Sequence, residues 1–431
     1  MILKITPAKS IQGIIEVPGD KSISHRALIF GSLCEGQVKI TNFLPAEDCL
    51  STLECLRELG VNIEQSGTDV TVHGAGKYGF RAPAGPLDVG NSGTTLRILP
   101  GLLAAQPFES TLIGDDSVSK RPMDRIIKPL SLMGANIQSV EGHAPINIKG
   151  TQLSAINYQL PVASAQVKSA ILLAGLFAEG QTSVSEEFKS RDHTERMLSY
   201  LDADSEFAGT TYTISGNSTL KAKPITVPGD ISSAAFFLIA ALLMPNSKLT
   251  IKAVGVNPTR TGLFDALKDA GAGIVMTNKR LVNNEPVADI KISQSLSTTI
   301  KPLMIEAKDI PGLVDEIPIL AVLATQLDGT SVISGAGELR VKESDRLKSI
   351  ATQLNSMGAN IEEKPDGLVI NGPTKLKGAE VDSGGDHRIA MSLAIAGLIA
   401  EGQTVINNAE CINISFPGFK ELLDGVVGSI I

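Results

Sequence analysis

Apolar positions along the chain follow two alternating rhythms. Runs with helical spacing end at Gly, and behind each comes a short stretch of alternating β-branched residues, a turn and a second such stretch. This phrase occupies residues 59–64 with 70–74, 133–138 with 146–150, and 357–362 with 368–372. Weaker copies lie at 201–216 and 270–292. The Gly after each helical run predicts a left-handed C-cap. A second phrase precedes each copy: an apolar helix, then Gly with a polar residue, then a strand, as at 35–40, 179–184, 328–333 and 401–406. Together they predict a repeating α/β unit of roughly 60–70 residues, strand and helix twice over with an extra strand.

Five units are visible, and a sixth begins near Asp386 without its terminal strands. Spare strand-like residues within 2–17 are expected to supply them, which would join both chain ends in one domain. The tetrapeptide Val17-Pro18-Gly19-Asp20 returns as Val227-Pro228-Gly229-Asp230, with three units between the copies and three outside. Pro-Gly is turn chemistry, so the pair predicts two crossovers between two domains. The expected boundaries are 1–19 with 230–431 for one domain and 20–229 for the other.

Composition narrows the function. A chain of 431 residues that is 43% hydrophobic and 19% charged is globular rather than disordered. Its net charge of −8, 4% aromatic content and lack of Trp argue against non-specific nucleic-acid binding, so any anionic ligand needs a local cluster of Arg and Lys. Four cysteines without paired spacing predict neither a disulfide framework nor a metal site, and no cofactor is expected. The longest apolar run, 234–244, stops at Pro245, well short of the roughly 20 residues of a membrane span. With no signal segment at the N-terminus, a soluble cytoplasmic protein is expected, without membrane or nucleic-acid partners.

Five polar clusters interrupt the apolar pattern. Gly19-Asp20-Lys21-Ser22-Ile23-Ser24-His25-Arg26 follows a strand and opens a helix, where backbone N–H groups favour anions. Asp20 before Lys21 excludes a P-loop. Cations at a helix start oppose its dipole, which makes more sense around a bound anion, although a solvated N-cap explains the local pattern too. Gly90-Asn91-Ser92-Gly93-Thr94-Thr95-Leu96-Arg97 permits close backbone approach to a ligand, and Arg121 before Pro122 offers its fork from an extended segment. Lys342 and Arg346 are expected to share a helix face four residues apart, repelling unless an anion lies between them, with Glu343 pointing elsewhere for proton transfer. Asp386-His387-Arg388 opens an apolar helix running to Ala400. Asp315-Glu316, beside the apolar run 317–323, is placed for a desolvated carboxylate acting as acid or base, or for an ordinary cap.

These clusters, in this order, closely resemble the 5-enolpyruvylshikimate-3-phosphate synthase family. The residues that carry the resemblance are Pro18 through Ala27, Gly90 through Arg97, Arg121-Pro122-Met123, Arg340-Val341-Lys342-Glu343-Ser344-Asp345-Arg346-Leu347 and Asp386-His387-Arg388-Ile389-Ala390-Met391. The resemblance implies an α/β fold of two similar domains, each of three βαβαββ units, with the active site in the interdomain cleft. It implies transfer of the enolpyruvyl group of phosphoenolpyruvate to the 5-hydroxyl of shikimate 3-phosphate, without a metal, by a monomer. Lys21, Ser22, Arg26, Ser164, Ala165, Gln166 and Arg191 are then expected at shikimate 3-phosphate. Asn91, Gly93, Thr94, Arg121, Arg346 and Arg388 would line the phosphoenolpyruvate subsite. Asp315 and Glu343 would move protons, with Lys342 beside them; Lys21, reaching phosphoenolpyruvate too, and His387 are further catalytic candidates.

Three positions depart from the best-known members of the family. Ala165 stands for a second Ser, Arg191 for a Tyr, and Ile414 for a Lys that helps hold phosphoenolpyruvate. The first two resemble bacterial members less sensitive to glyphosate, whereas Gly93 is the residue of sensitive ones. Two rival readings share the fold: the sister enzyme acting on UDP-N-acetylglucosamine, which usually carries a Cys within the stretch equivalent to 114–121, and a non-catalytic anion-binding protein. The absence of Cys in that stretch opposes the first, and Asp315, Glu343 and His387 oppose the second.

Overall fold

The computed structural model describes residues 1–292 and 300–428. Its backbone divides into two compact units, one of Met1–Pro18, Pro228–Arg280 and Pro286–Ile431, the other of Gly19–Val227 with Leu281–Glu285. The divisions at Pro18 and Val227 fall inside the two copies of the repeated tetrapeptide.

Among the described residues, six sheets correspond to the six repeats. The pattern is plainest in the second repeat. A short strand, Leu87–Asp88, pairs in parallel with Glu109–Ile113, which pairs antiparallel with His143–Lys149 and that in turn with Asn136–Val140. The glycines that close the preceding helices carry the left-handed backbone their position requires: Gly60, Gly134, Gly271 and Gly358 have φ between +89° and +94°. In the weak third copy Asp202 takes that place at φ +61°.

The crossover segments exchange sheets. Gln12–Glu16, just ahead of the first long helix, pairs in parallel with Lys248–Gly255 of the fourth repeat. Leu220–Lys221 and Ile225–Thr226, ahead of the fourth repeat, pair in parallel with Cys34–Thr41 of the first. The expectation that residues 2–17 complete the sixth repeat therefore holds for one strand only. Leu3–Ile5 pairs antiparallel with Thr404–Asn407, while the second strand-like run serves a different sheet. A bridge between Ile11 and Val427 places both ends of the described chain in one unit.

Each repeat contributes one central helix: α1 (Lys21–Leu33), α2 (Gly93–Leu103), α3 (Ala165–Gly175), α4 (Ile231–Leu243), α5 (Ile317–Ala324) and α6 (His387–Ile399). Beyond the first turn they are buried almost throughout, and α4 is buried along its whole length. A helix without a polar face belongs inside a core. In the unit holding the chain ends, Phe237, Phe416 and Phe419 pack ring to ring with centroids 5.4–6.0 Å apart. Each such buried ring contributes about 2 kcal/mol. Because the helix bodies are dry, polar residues in them concentrate at the N-terminal turns, and these turns carry the predicted chemistry.

Among the described residues no helix is long and apolar enough to cross a membrane. The four cysteines are buried and form no disulfide. Burial pushes the Cys34 and Cys55 thiols up to about 12 and Cys411 to about 11, which removes them as nucleophiles.

Candidate active site

In the unit built on residues 19–227, hydrogen bonds tie three helix starts together. Asp20 caps α1, accepting from the Ile23 N–H at 2.9 Å. Lys21, the first residue of α1, lies 3.0 Å from Asp48. Arg26 is buried one turn further on. Its Nε donates to Thr194 Oγ1 at 2.7 Å, its Nη2 to Ser169 Oγ at 2.7 Å, and its Nη1 to the Ser22 carbonyl at 2.9 Å. Ser169 is on α3, so Arg26 fastens α1 to α3. Gln166, in the first turn of α3, accepts from Arg97 Nη1 at 2.8 Å and donates to Thr94 Oγ1 at 3.2 Å, fastening α3 to α2. His25 closes the triangle: its Nδ1 meets Thr52 Oγ1 at 2.7 Å, and Thr52 meets Thr95 Oγ1 at 2.6 Å. Burial, then Lys21 and Arg26, hold the imidazole well below its usual pKa of 6.5, so it is neutral in this network.

Gly93 opens α2 behind the cap Ser92, whose Oγ accepts from the Thr95 N–H at 3.2 Å. A Cβ at Gly93 would stand 2.5 Å from Arg121 Nη1, so only Gly lets that guanidinium lie against the helix start. Arg121 Nη2 donates to Asn91 Oδ1 at 3.2 Å, and Asn91 Nδ2 donates to Asp115 at 2.6 Å. Ser164 caps α3 at 3.5 Å, with Ala165 the first helical residue. Lys21, Ser22, Arg26, Asn91, Gly93, Thr94, Arg121, Ser164, Ala165 and Gln166 thus lie at these starts or against them. Arg191 is half-buried in the loop that leads to the helix His193–Tyr200.

In the unit holding the chain ends, Arg346 is the hub. Its side chain is 1% exposed and meets three carboxylates: Asp386 at 2.8 Å, Asp315 at 3.2 Å and Glu343 at 2.5 Å. Burial alone would lower its pKa. The three carboxylates outweigh burial and hold the guanidinium above its usual value. Asp386 also caps α6, its Oδ1 accepting from the Arg388 N–H at 2.9 Å. Arg388 lies 3.4 Å from Asp315 and donates to the Asp315 carbonyl at 3.2 Å. His387, the first residue of α6, is buried beside them.

Two expectations from sequence fail here. Lys342 and Arg346 do not share a helix face. A short 3₁₀ turn, Gly337–Val341, ends before Lys342, and a separate helix, Arg346–Ser356, starts behind the cap Asp345, which accepts from Lys348 N–H at 3.1 Å. Lys342 pairs instead with Glu338 at 2.9 Å. Glu343, expected to point elsewhere, turns onto Arg346. The break follows from Ser344-Asp345, whose short polar side chains favour a fresh helix start over continuation.

Of the Asp315-Glu316 pair, burial selects Glu316. It is 1% exposed, and desolvation raises its pKa, with Arg260 opposing and Asp315 adding to the shift. Glu316 accepts from Ser232 Oγ, which also accepts from Arg260 Nη2 at 2.7 Å. Sequence reasoning missed Asp48, Ser169 and Thr194 as partners of the site. A small hydroxyl such as that of Ser169 or Thr194 carries no periodicity or charge signal of its own. Ile414, in place of the family's Lys, ends a 3₁₀ turn (Ala409–Ile414) and packs against the apolar core.

Two triplets of buried helices, presenting Arg, Lys and paired carboxylates at their N-terminal turns, define a class of α/β transferase for small anionic substrates. The EPSP synthase (3-phosphoshikimate 1-carboxyvinyltransferase) family model matches residues 5–423, and the chain belongs to that family. It is 51% identical to the 3-phosphoshikimate 1-carboxyvinyltransferase of Brevibacillus brevis over 98% of this chain and 99% of that one. It is 52% identical to that of Geobacillus kaustophilus, covering 96% and 97%. A solved EPSP synthase from Acinetobacter baumannii superposes with a TM-score of 0.89 at 45% identity, covering 99% of this chain and 98% of the other.

Proposed function

We propose that this chain transfers the enolpyruvyl group of phosphoenolpyruvate to the 5-hydroxyl of shikimate 3-phosphate, releasing phosphate, as its family membership indicates. In the addition step the 5-hydroxyl gives its proton to a base as its oxygen bonds to C2 of phosphoenolpyruvate, while an acid delivers a proton to the methylene carbon. In the elimination step a proton leaves the resulting methyl group, the double bond re-forms and the C2–O bond to phosphate breaks. The chemistry needs cations for two phosphates and two carboxylates, and groups that give and take protons at two atoms.

One observation carries the assignment of proton transfer: Asp315 and Glu343, far apart in sequence, meet on the single guanidinium of Arg346. Two acid–base candidates thereby share one locus with Arg388, a cation suited to a carboxylate or phosphate. We assign Arg346, Arg388, Asn91, Gly93, Thr94 and Arg121 to phosphoenolpyruvate, with Lys342 and His387 supporting the proton-transfer pair. Lys21, Ser22, Arg26, Ser164, Ala165, Gln166, Arg191 and Asp315 are assigned to shikimate 3-phosphate. Arg26 already gives hydrogen bonds to Thr194, Ser169 and Ser22, which fixes its fork before the ligand arrives. The domains are taken as 1–19 with 230–431 and 20–229, from which the compact units differ in that Leu281–Glu285 cluster with Gly19–Val227, in a cytoplasmic monomer.

The test is phosphate release from phosphoenolpyruvate with shikimate 3-phosphate as acceptor, beside a parallel assay with UDP-N-acetylglucosamine. Release only with shikimate 3-phosphate is expected. Release only with the nucleotide sugar would transfer the assignment to the sister enzyme. Binding of phosphoenolpyruvate with no release in either tube would leave an anion-binding protein.

A further inference from the structure

Arg191 lies in a loop that ought to be loose. Residues 186–192 join the strand Gln181–Ser185 to the helix His193–Tyr200, and Glu187, Phe188 and Lys189 at the tip are exposed. The flanking Glu186, Ser190 and Asp192 are buried, so the loop is anchored at its base and open at its tip. Arg191 also acts against Arg26. Burial brings the Arg26 pKa down to about 10, and Arg191 adds to that fall while Glu195 and Asp20 resist it. Two guanidiniums within electrostatic reach repel each other, so keeping them close ahead of a bound anion calls for a well-held loop.

One buried ammonium ties down three points of this segment. Lys168, on α3, is 2% exposed. Its Nζ lies 2.6 Å from Glu186 at the start of the loop and 2.7 Å from Glu195 just beyond its end, and it donates to the carbonyl of Ser190 at 3.4 Å. Ser190 Oγ in turn donates to the other oxygen of Glu186 at 2.6 Å. Each N–H of the ammonium can thus be matched to an acceptor on a different part of the same segment. A neighbouring bond from Ser169 to Thr194, 2.7 Å long, runs beside the Lys168–Glu195 bridge and carries Arg26.

We propose that Lys168 is a positioning residue for shikimate 3-phosphate: by holding Glu186, Ser190 and Glu195 at once, it fixes Arg191 near Arg26 before the dianionic phosphate binds. This rests on the reading of Arg191 as a contact of that phosphate. Buried carboxylates left without their cation are costly, so Lys168→Met alone risks misfolding. The working variant is Lys168→Met with Glu186→Gln and Glu195→Gln, which removes the ammonium together with both of its carboxylates and leaves Asp20 to face Arg26.

The measurement is the calorimetric Kd of the full-length protein for shikimate 3-phosphate, in the wild-type and Arg191→Ala backgrounds, with the KM for phosphoenolpyruvate at saturating acceptor as control. The clamp-free variant is expected to weaken shikimate 3-phosphate about tenfold in the wild-type background and less than about twofold in the Arg191→Ala background. The KM for phosphoenolpyruvate is expected to stay within about twofold. An unchanged Kd, or an equal loss in both backgrounds, overturns the proposal, because a general structural defect does not depend on Arg191. If Arg191→Ala by itself leaves the Kd unchanged, the clamp has nothing to position and falls while the enzyme assignment stands. If the wild-type protein neither binds shikimate 3-phosphate nor releases phosphate with it, the enzyme assignment falls and the clamp with it.

Discussion

Arg121 and Gly93 show how one missing side chain sets a subsite. The 2.5 Å separation between Arg121 Nη1 and a hypothetical Cβ at Gly93 involves the far end of a flexible side chain, so Gly93→Ala displaces the guanidinium rather than the helix. Stability is expected to change by less than about 1 kcal/mol, while the KM for phosphoenolpyruvate rises about tenfold, separating a binding defect from a folding one. Glu343→Gln keeps the shape and a hydrogen-bond acceptor for Arg346 but removes the proton-transfer group. A loss of about 10²–10⁴ in kcat with near-normal substrate binding is expected, and kcat within threefold of wild type would remove Glu343 from the proton-transfer pair. His25 gives a pH signature. Its folded pKa lies below the unfolded value of 6.5, so as pH falls through that value the unfolded chain takes up a proton that the folded one refuses. Between pH 7 and 5.5 the wild type should lose about 1 kcal/mol more unfolding free energy than His25→Asn. Parallel stability curves for the two proteins would mean that His25 protonates in the folded state.

Helix ends carry the next scale of argument. Gly358, at φ +94°, closes the helix Arg346–Ser356 in a conformation that costs an L side chain about 1 kcal/mol, so Gly358→Ala should lower stability by about that amount. Asp202 already occupies the equivalent place at φ +61°, and its pairings with Lys221 and Lys223 are exposed and worth little. Asp202→Gly is therefore expected to be neutral or slightly stabilising, an opposite sign at the same repeat position that thermal unfolding can read. Asp386 combines the cap of α6 with the buried partner of Arg346. Asp386→Ala should cost about 3 kcal/mol or more, whereas Asp386→Asn, which retains an acceptor for the Arg388 N–H, should cost less.

At the scale of the whole molecule, a chain of net charge −8 binds anions only through local cationic clusters. Raising ionic strength from about 0.01 to 0.5 M shortens the screening length severalfold, and the KM for both substrates should rise with it. A flat salt response would mean that the buried guanidiniums act through hydrogen bonds alone. The repeat count, the helix caps and the five polar clusters were legible in the chain, because hydrophobic periodicity and cap residues act over a few neighbours. The meeting of Asp315 with Glu343 was not, since the two residues are brought together by a guanidinium on a third segment. Nor was the broken helix at Lys342, where a cap at Asp345 overrode the i, i+4 spacing. The single strand that residues 2–17 give to the sixth sheet was hidden too, because strand pairing is a long-range choice. Local chemistry therefore determined which elements form and where charge is concentrated. Tertiary packing decided which charges touch: burial forces each buried Arg or Lys to find its carboxylates and hydroxyls wherever the folded chain brings them, and sequence spacing does not record that.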